Sequence, residues 1–132
     1  MKAAIKTAII ASALLASGGC AHWQMEGAAP EGSLVGLGET VALASGYVTP
    51  ISVHEDSRCP IDATCVWAGR VVVEIEVRTK RGTQRDWAQS DSGVLIGSPP
   101  AYDFAVVLEE VLPAAKAGKT IAPQDYRFRF RN

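Results

Sequence analysis

Residues 34–132 predict an all-β domain, an antiparallel β-sandwich or small barrel of six to seven strands. Three observations carry this expectation. In residues 71–77, Val71, Val73, Ile75 and Val77 alternate with Val72, Glu74 and Glu76. That period of two buries one face of a strand and solvates the other. Residues 126–131 read Tyr-Arg-Phe-Arg-Phe-Arg, the same period with aromatics on one side and arginines on the other. Elsewhere, short β-branched or apolar runs are separated by Gly- and Pro-rich turns, the pattern of an antiparallel chain.

The elements follow in order. Residues 39–44 are short and alternating. Residues 47–54 are β-branched, and Pro50 within them predicts a bulge or an edge position. Residues 71–77 are the clearest strand. Thr79, Lys80, Arg81, Gly82 and Thr83 predict a hairpin turn with Gly82 at positive φ, leading into a strand at 84–89. Residues 104–108 are a continuous apolar run, as in a buried central strand. Residues 108–112 (Leu-Glu-Glu-Val-Leu) also allow a helical turn, ended by Pro113. Residues 114–119 suit a small helix or loop. The arginines of 126–131 suit a solvent-facing or edge strand, with glutamates nearby to pair with them.

Ahead of this domain, Lys2 and Lys6 precede a nine-residue apolar core at 8–16. A bilayer span needs about 20 residues, so this is an export signal rather than a membrane helix. It ends Ser17-Gly18-Gly19-Cys20. That ending resembles the lipobox of bacterial lipoproteins, in which the chain is cut before the cysteine. Ser17 stands where Leu is commonest. The resemblance implies a signal peptide at 1–19 and a Cys20 that receives diacylglycerol and an N-acyl chain. Several chains on one residue anchor stably, where one alone is marginal. Ala21, where such lipoproteins carry Asp for inner-membrane retention, implies the outer membrane, facing the periplasm. Residues 20–33, rich in Gly, Ala and Pro after the cysteine, are expected to tether the domain.

Without Lys2 and Lys6 the mature chain holds 11 basic and 14 acidic side chains, a formal net charge of −3. No run of Lys or Arg offers an electrostatic footprint for nucleic acid.

The most informative stretch is residues 56–69: Asp56, Ser57, Arg58, Cys59, Pro60, Ile61, Asp62, Ala63, Thr64, Cys65, Val66, Trp67, Ala68, Gly69. An exported chain meets oxidising conditions, so Cys59 and Cys65 are expected to pair, with Pro60 and Asp62 in the turn between them. Trp67 is expected to pack on the sulfurs, as a core tryptophan does in immunoglobulin-like domains. Gly69 marks a bulge or a close approach. This stretch resembles a signature, D-S-R-C-P then C-V/I-W-A-G, of uncharacterised small bacterial lipoproteins and exported β-domain proteins. The resemblance implies a short β-rich domain and no particular activity.

Catalytic chemistry has little support in these residues. The cysteines lack the two-residue spacing of redox and zinc pairs. A Cys–His pair with His54 is conceivable. Ser57 lacks a nucleophile-elbow context. Glu109 and Glu110 are adjacent and expected on opposite faces of a strand, a poor acid–base pair. Asp56 and Asp62 are candidates for calcium with loop carbonyls; against this, Asp56 can pair with Arg58 or cap the turn. No cofactor and no metal ligand set is expected. The function expected is that of a non-enzymatic envelope lipoprotein. Its membrane contact is the anchor at Cys20, and its stapled domain binds an envelope protein, a hydrolase to be inhibited being one version. The alternative is a small-ligand or calcium-binding module, with an enzyme the remaining class.

The anchor has a direct test. The intact mass of the mature protein should carry the diacylglyceryl addition at Cys20, and Cys20→Ser should abolish processing and membrane partitioning together. Unchanged partitioning of that variant would dispose of the anchor.

Overall fold

The structure, a computed structural model, describes residues 25–90 and 105–132. The signal peptide, Cys20 and Phe104 lie outside the described residues. Seven strands form: β1 (Leu34–Val35), β2 (Val41–Leu43), β3 (Gly46–Asp56), β4 (Val71–Thr79), β5 (Gly82–Gln89), β6 (Val107–Leu112) and β7 (Arg127–Arg131). One sheet has the order β2-β3-β4-β5 and the other β1-β7-β6, and every strand pair is antiparallel. The two sheets make a sandwich and do not close into a barrel among the described residues. A single turn of 3₁₀ helix at Pro123–Asp125 precedes β7.

The core is where the two inner faces meet. Val71, Val73, Ile75 and Val77 of β4 are all buried, as their alternation predicts, and lie in one cluster with Val41, Val48, Val35, Leu108, Phe128 and Phe130. Phe128 and Phe130 are the largest fully buried side chains. The ring of Tyr126 stacks on Phe128 with centroids 5.7 Å apart, and that of Phe130 lies 6.3 Å beyond. Pro50 is buried in the inner strand β3, and the ladder shifts register between Pro50 and Ser52. A bulge there is how a residue without an N–H sits inside a sheet. The β4–β5 hairpin turns at Gly82, with φ +136°.

Three expectations are corrected in the smaller sheet. The run at 104–108 was expected to be a central strand; the strand is Val107–Leu112, beside β7 on one side, and it takes in the residues that allowed a helical turn. The cause is a bulge at Glu109. Leu108 faces Phe130 and Val111 faces Phe128, while the ladder shifts between Leu108 and Glu110. One extra residue in the strand lets two apolar side chains three apart in sequence both point inward, a spacing that otherwise reads as helical. The same bulge places Glu109 and Glu110 on one side rather than on opposite faces. Glu109 pairs with Arg131 at 2.7 Å and Glu110 with Arg129 at 3.0 Å. The arginine-bearing strand, expected to be solvent-facing or at an edge, is solvent-facing on its arginine side but lies at the centre of its sheet. Its arginines face outward: Arg129 and Arg131 meet these glutamates, while Arg127 donates to the Gln124 and Tyr126 carbonyls.

Residues 25–33, the C-terminal part of the expected tether, are hydrogen-bonded to the domain. Ala29 N–H donates to Thr40 O at 2.8 Å and Ala42 N–H donates to Ala29 O at 2.7 Å. The Met25 N–H donates to the Tyr47 hydroxyl at 3.0 Å.

Because Phe128 bridges the two sheets at the centre of β7, Phe128→Ala should lower the free energy of unfolding by about 3–5 kcal/mol. Chemical denaturation would register this as a large fall in midpoint at unchanged slope; a fall equal to that of an exposed substitution would contradict the packing described.

Candidate functional site

The residues singled out by sequence form a long excursion between β3 and β4. Its two arms stay paired past the ladder. Ser57 N–H donates to Arg70 O at 2.8 Å, and Cys59 N–H donates to Ala68 O at 2.9 Å. Gly69 permits this closeness. Its φ is +70°, and a Cβ at that position would overlap the Ser57 carbonyl oxygen. No other residue combines both allowances. Beyond the arms, the Cys59–Cys65 disulfide closes the loop with Cα atoms 5.8 Å apart.

The base of the excursion is held across the sandwich. Arg58 Nε and Nη2 donate to the two carboxylate oxygens of Asp56 at 2.9 and 2.8 Å. The Tyr126 hydroxyl, from the residue just before β7, donates to Asp56 Oδ2 at 2.8 Å. Arg58 Nη1 donates to the Val111 carbonyl at 2.8 Å. A planar guanidinium suits such a two-point grip. The Arg58 and Asp56 side chains are only 17% and 14% exposed, so the pair is far better shielded than a surface ion pair.

Protonation follows from this geometry. Burial works to raise the Asp56 carboxyl, but the Arg58 and Tyr126 hydrogen bonds and the Arg58 charge outweigh it and hold it below the ordinary aspartate range. The Arg58 guanidinium is raised, chiefly by its hydrogen bonds to Asp56. Burial and then the hydrogen bond to Asp56 push Tyr126 up to about 12. All three groups are therefore fixed in one charge state near neutral pH, which suits structure rather than proton transfer.

The far side of the loop rests on residues 114–119, an irregular connection where a small helix or loop was expected. Ile61 N–H donates to Ala115 O at 2.9 Å, and Ala117 N–H donates to Asp62 Oδ1 at 2.8 Å. Asp56 and Asp62, the calcium candidates, are thus engaged by different protein groups. Among the described residues no cluster of three or more His, Cys, Asp or Glu is assembled for a metal ion. Cys59 lies in the disulfide, which removes the thiolate a Cys–His pair with His54 requires. His54 itself is exposed and tilts against Trp87 with ring centroids 5.1 Å apart.

Trp67 departs from expectation. It does not pack as a core tryptophan but is 83% exposed, beside Val66 at 91%, with Ile61 at 68%. The reason is positional. Strand β4 begins at Val71, so Trp67 lies in the excursion, outside the pleat that would turn it inward. Sequence reasoning located Asp56, Arg58, Pro60, Trp67 and Gly69 but missed Tyr126 and the Val111 carbonyl. These lie 70 and 53 positions away from the atoms they meet, and nothing local signals such a contact.

Two open depressions of about 350 and 320 Å³ lie elsewhere. The first is lined by Leu43, Tyr47 and Lys80 among others, the second by Met25, Leu34 and Glu39. No family model, curated protein or solved structure matches the chain.

The clamp predicts a pH dependence at both ends. Asp56 has a folded pKa below its unfolded value, so its contribution is present above the ordinary aspartate range and is lost as pH falls through the depressed value. Tyr126 is raised, so its contribution is present below about pH 10, the unperturbed tyrosine value, and is lost as pH rises toward about 12. Asp56→Asn should lower stability by roughly 1.5–3 kcal/mol at neutral pH and flatten the acid limb of the unfolding profile. Tyrosinate absorbance should show a late titration that Tyr126→Phe removes; a titration curve unaltered above pH 10 by that substitution would refute the clamp.

Proposed function

We propose that this protein is a non-enzymatic, lipid-anchored cell-envelope protein whose β-sandwich recognises another envelope protein through the loop between β3 and β4. The observation that carries this is the exposure of Val66 and Trp67, 91% and 83%, on a segment that is otherwise fixed on every side. The base is clamped by Asp56, Arg58 and Tyr126, the arms are paired, the loop is closed by Cys59–Cys65 and the flank rests on residues 115–117. Leaving a tryptophan in water while ordering the chain beneath it contributes nothing to folding. Large apolar side chains held this way are the anchors of interfaces, where tryptophan is enriched among the residues that dominate affinity.

Rigidity supports the same reading. A loop already ordered loses little entropy on binding, and a closed convex loop is the shape that enters a cleft. Inhibition of an envelope hydrolase is the narrower version, with Ile61, Asp62 and Ala63 at the tip. The anchor at Cys20 and the outer-membrane address implied by Ala21 rest on the leader of the sequence. A calcium or small-ligand module finds less support, because Asp56 and Asp62 are committed to protein partners and the sandwich interior is filled by Phe128, Phe130 and the β4 valines.

Two sets of substitutions separate the roles. Replacing Cys59 and Cys65 together removes a short closed loop, worth about 2 kcal/mol on the chain-entropy relation, and should lower the melting temperature by roughly 8–16 °C. Val66→Ser with Trp67→Ala should leave melting within about 2 °C, since exposed substitutions change stability little, and should abolish a partner crosslinked in intact envelopes. Undiminished crosslinking after the second change would remove the loop from recognition. A hydrolytic activity lost on His54→Ala would end the non-enzymatic reading.

A further inference from the structure

The entry of the chain and the stapled loop occupy opposite poles of the sandwich. Met25 meets Tyr47 at the start of β3 and Arg78 near the end of β4. Asn132 N–H donates to Glu31 at 3.1 Å, beside the end of β7. The stapled loop instead departs from Asp56, the last residue of β3, and returns at Val71, the first of β4. The nine steps from Tyr47 to Asp56, at about 3.3 Å each, place the poles roughly 30 Å apart. Cys20 lies five residues before Met25, a reach of at most about 18 Å. An anchor at Cys20 therefore keeps the Met25 pole beside the lipid and turns the stapled pole toward the aqueous compartment.

The surface next to the tip has a sign. Residues 113–122 carry Lys116 and Lys119 and no acid. Both lysines are exposed. This connection is joined to the loop by the Ile61–Ala115 and Ala117–Asp62 hydrogen bonds, so Lys116 stands between the two contacts. The carboxylate of Asp62 faces the Ala117 N–H rather than a lysine. Ile61 at the tip, and Val66 and Trp67 on the returning arm, thus share a pole with the exposed lysines of this connection.

We propose that the occupant of this pole is a protein of the aqueous compartment presenting an apolar cleft rimmed by carboxylates. Val66 and Trp67 fill the cleft, and Lys116 and Lys119 meet its rim. This rests on the recognition reading above and adds the partner's chemistry and side of approach. The anchoring bilayer is on the wrong side of the domain. Among the described residues, a second copy offers a depression of suitable character, lined by Met25, Leu34, Glu26 and Glu39. That depression includes Met25 and so lies toward the membrane pole, out of reach of a tip carried on a neighbour anchored in the same way.

The experiment places a photoreactive p-benzoylphenylalanine at Val66 of the full-length chain in cells of the native host, followed by irradiation and mass mapping of the adduct. The expected adduct is a different protein, joined at an apolar cleft with Asp or Glu at its border. Its yield should fall at least tenfold in Lys116→Glu/Lys119→Glu and decline progressively with added salt in the wild type, at an unchanged melting temperature. If that double variant were to misfold, the wild-type salt titration decides by itself. A protein adduct indifferent to both charge reversal and salt would overturn the carboxylate rim and leave the recognition loop standing. A lipid adduct, or a second copy of this chain, would overturn the proposed occupant. No adduct from Val66 alongside one from Ser45 at the opposite pole would overturn both the inference and the recognition reading.

Discussion

The carboxylate of Asp56 is the constraint on which this domain's organisation depends. It sits where β3 leaves its sheet, largely shielded from water, and a charge in that position must be paired and hydrogen-bonded or it opposes folding. Two side chains hold it, and one of them reaches further. Arg58 reaches back from the loop, Tyr126 reaches across from the residue before β7, and Arg58 also donates through Nη1 to the Val111 carbonyl of β6. One side chain thereby joins the end of β3, the loop, β6 and the approach to β7. Removing any member leaves another shielded polar group without its partner, so the arrangement acts as a unit.

The clamp fixes the direction in which the loop departs, and smaller devices fix its shape. Gly69 lets the returning arm pass against the Ser57 carbonyl, the disulfide closes the turn, and two hydrogen bonds seat it on residues 115–117. With the order of the loop supplied from below and from the side, its apolar side chains are not required for folding. That is why Val66 and Trp67 can stand in water on a well-defined segment. The division is between polar groups that hold and apolar groups that remain available.

The opposite surface of the smaller sheet shows the contrary use of charge. Arg129 and Arg131 would read as a cationic strip if they were free, but the bulge at Glu109 brings two glutamates against them. These pairs are partly exposed and each contributes little to stability. Their effect is to neutralise the outer face of a central strand. At the loop pole, by contrast, Lys116 and Lys119 are exposed on the connection that seats the loop.

The fold class was legible because it is written in local periodicity. The alternation at 71–77 and 126–131, the turn at Gly82 and the irregularity at Pro50 each appear where the residues place them, since pleat, positive φ and a missing N–H act within a few residues. The pairing of Cys59 with Cys65 and the close approach at Gly69 were legible for the same reason. Three features required the tertiary structure. A bulge reassigns faces by one residue, so the direction of Glu110 and the strand character of residues 108–112 depended on which partners β7 presented. The central position of β7 depended on what lay on its two sides. The exposure of Trp67, and the union of Asp56 with Tyr126 and of Arg58 with Val111, depended on how two sheets meet. Contacts between positions 53 to 70 residues apart are set by packing of whole faces, and a single sequence carries no local signal of which faces will pack together.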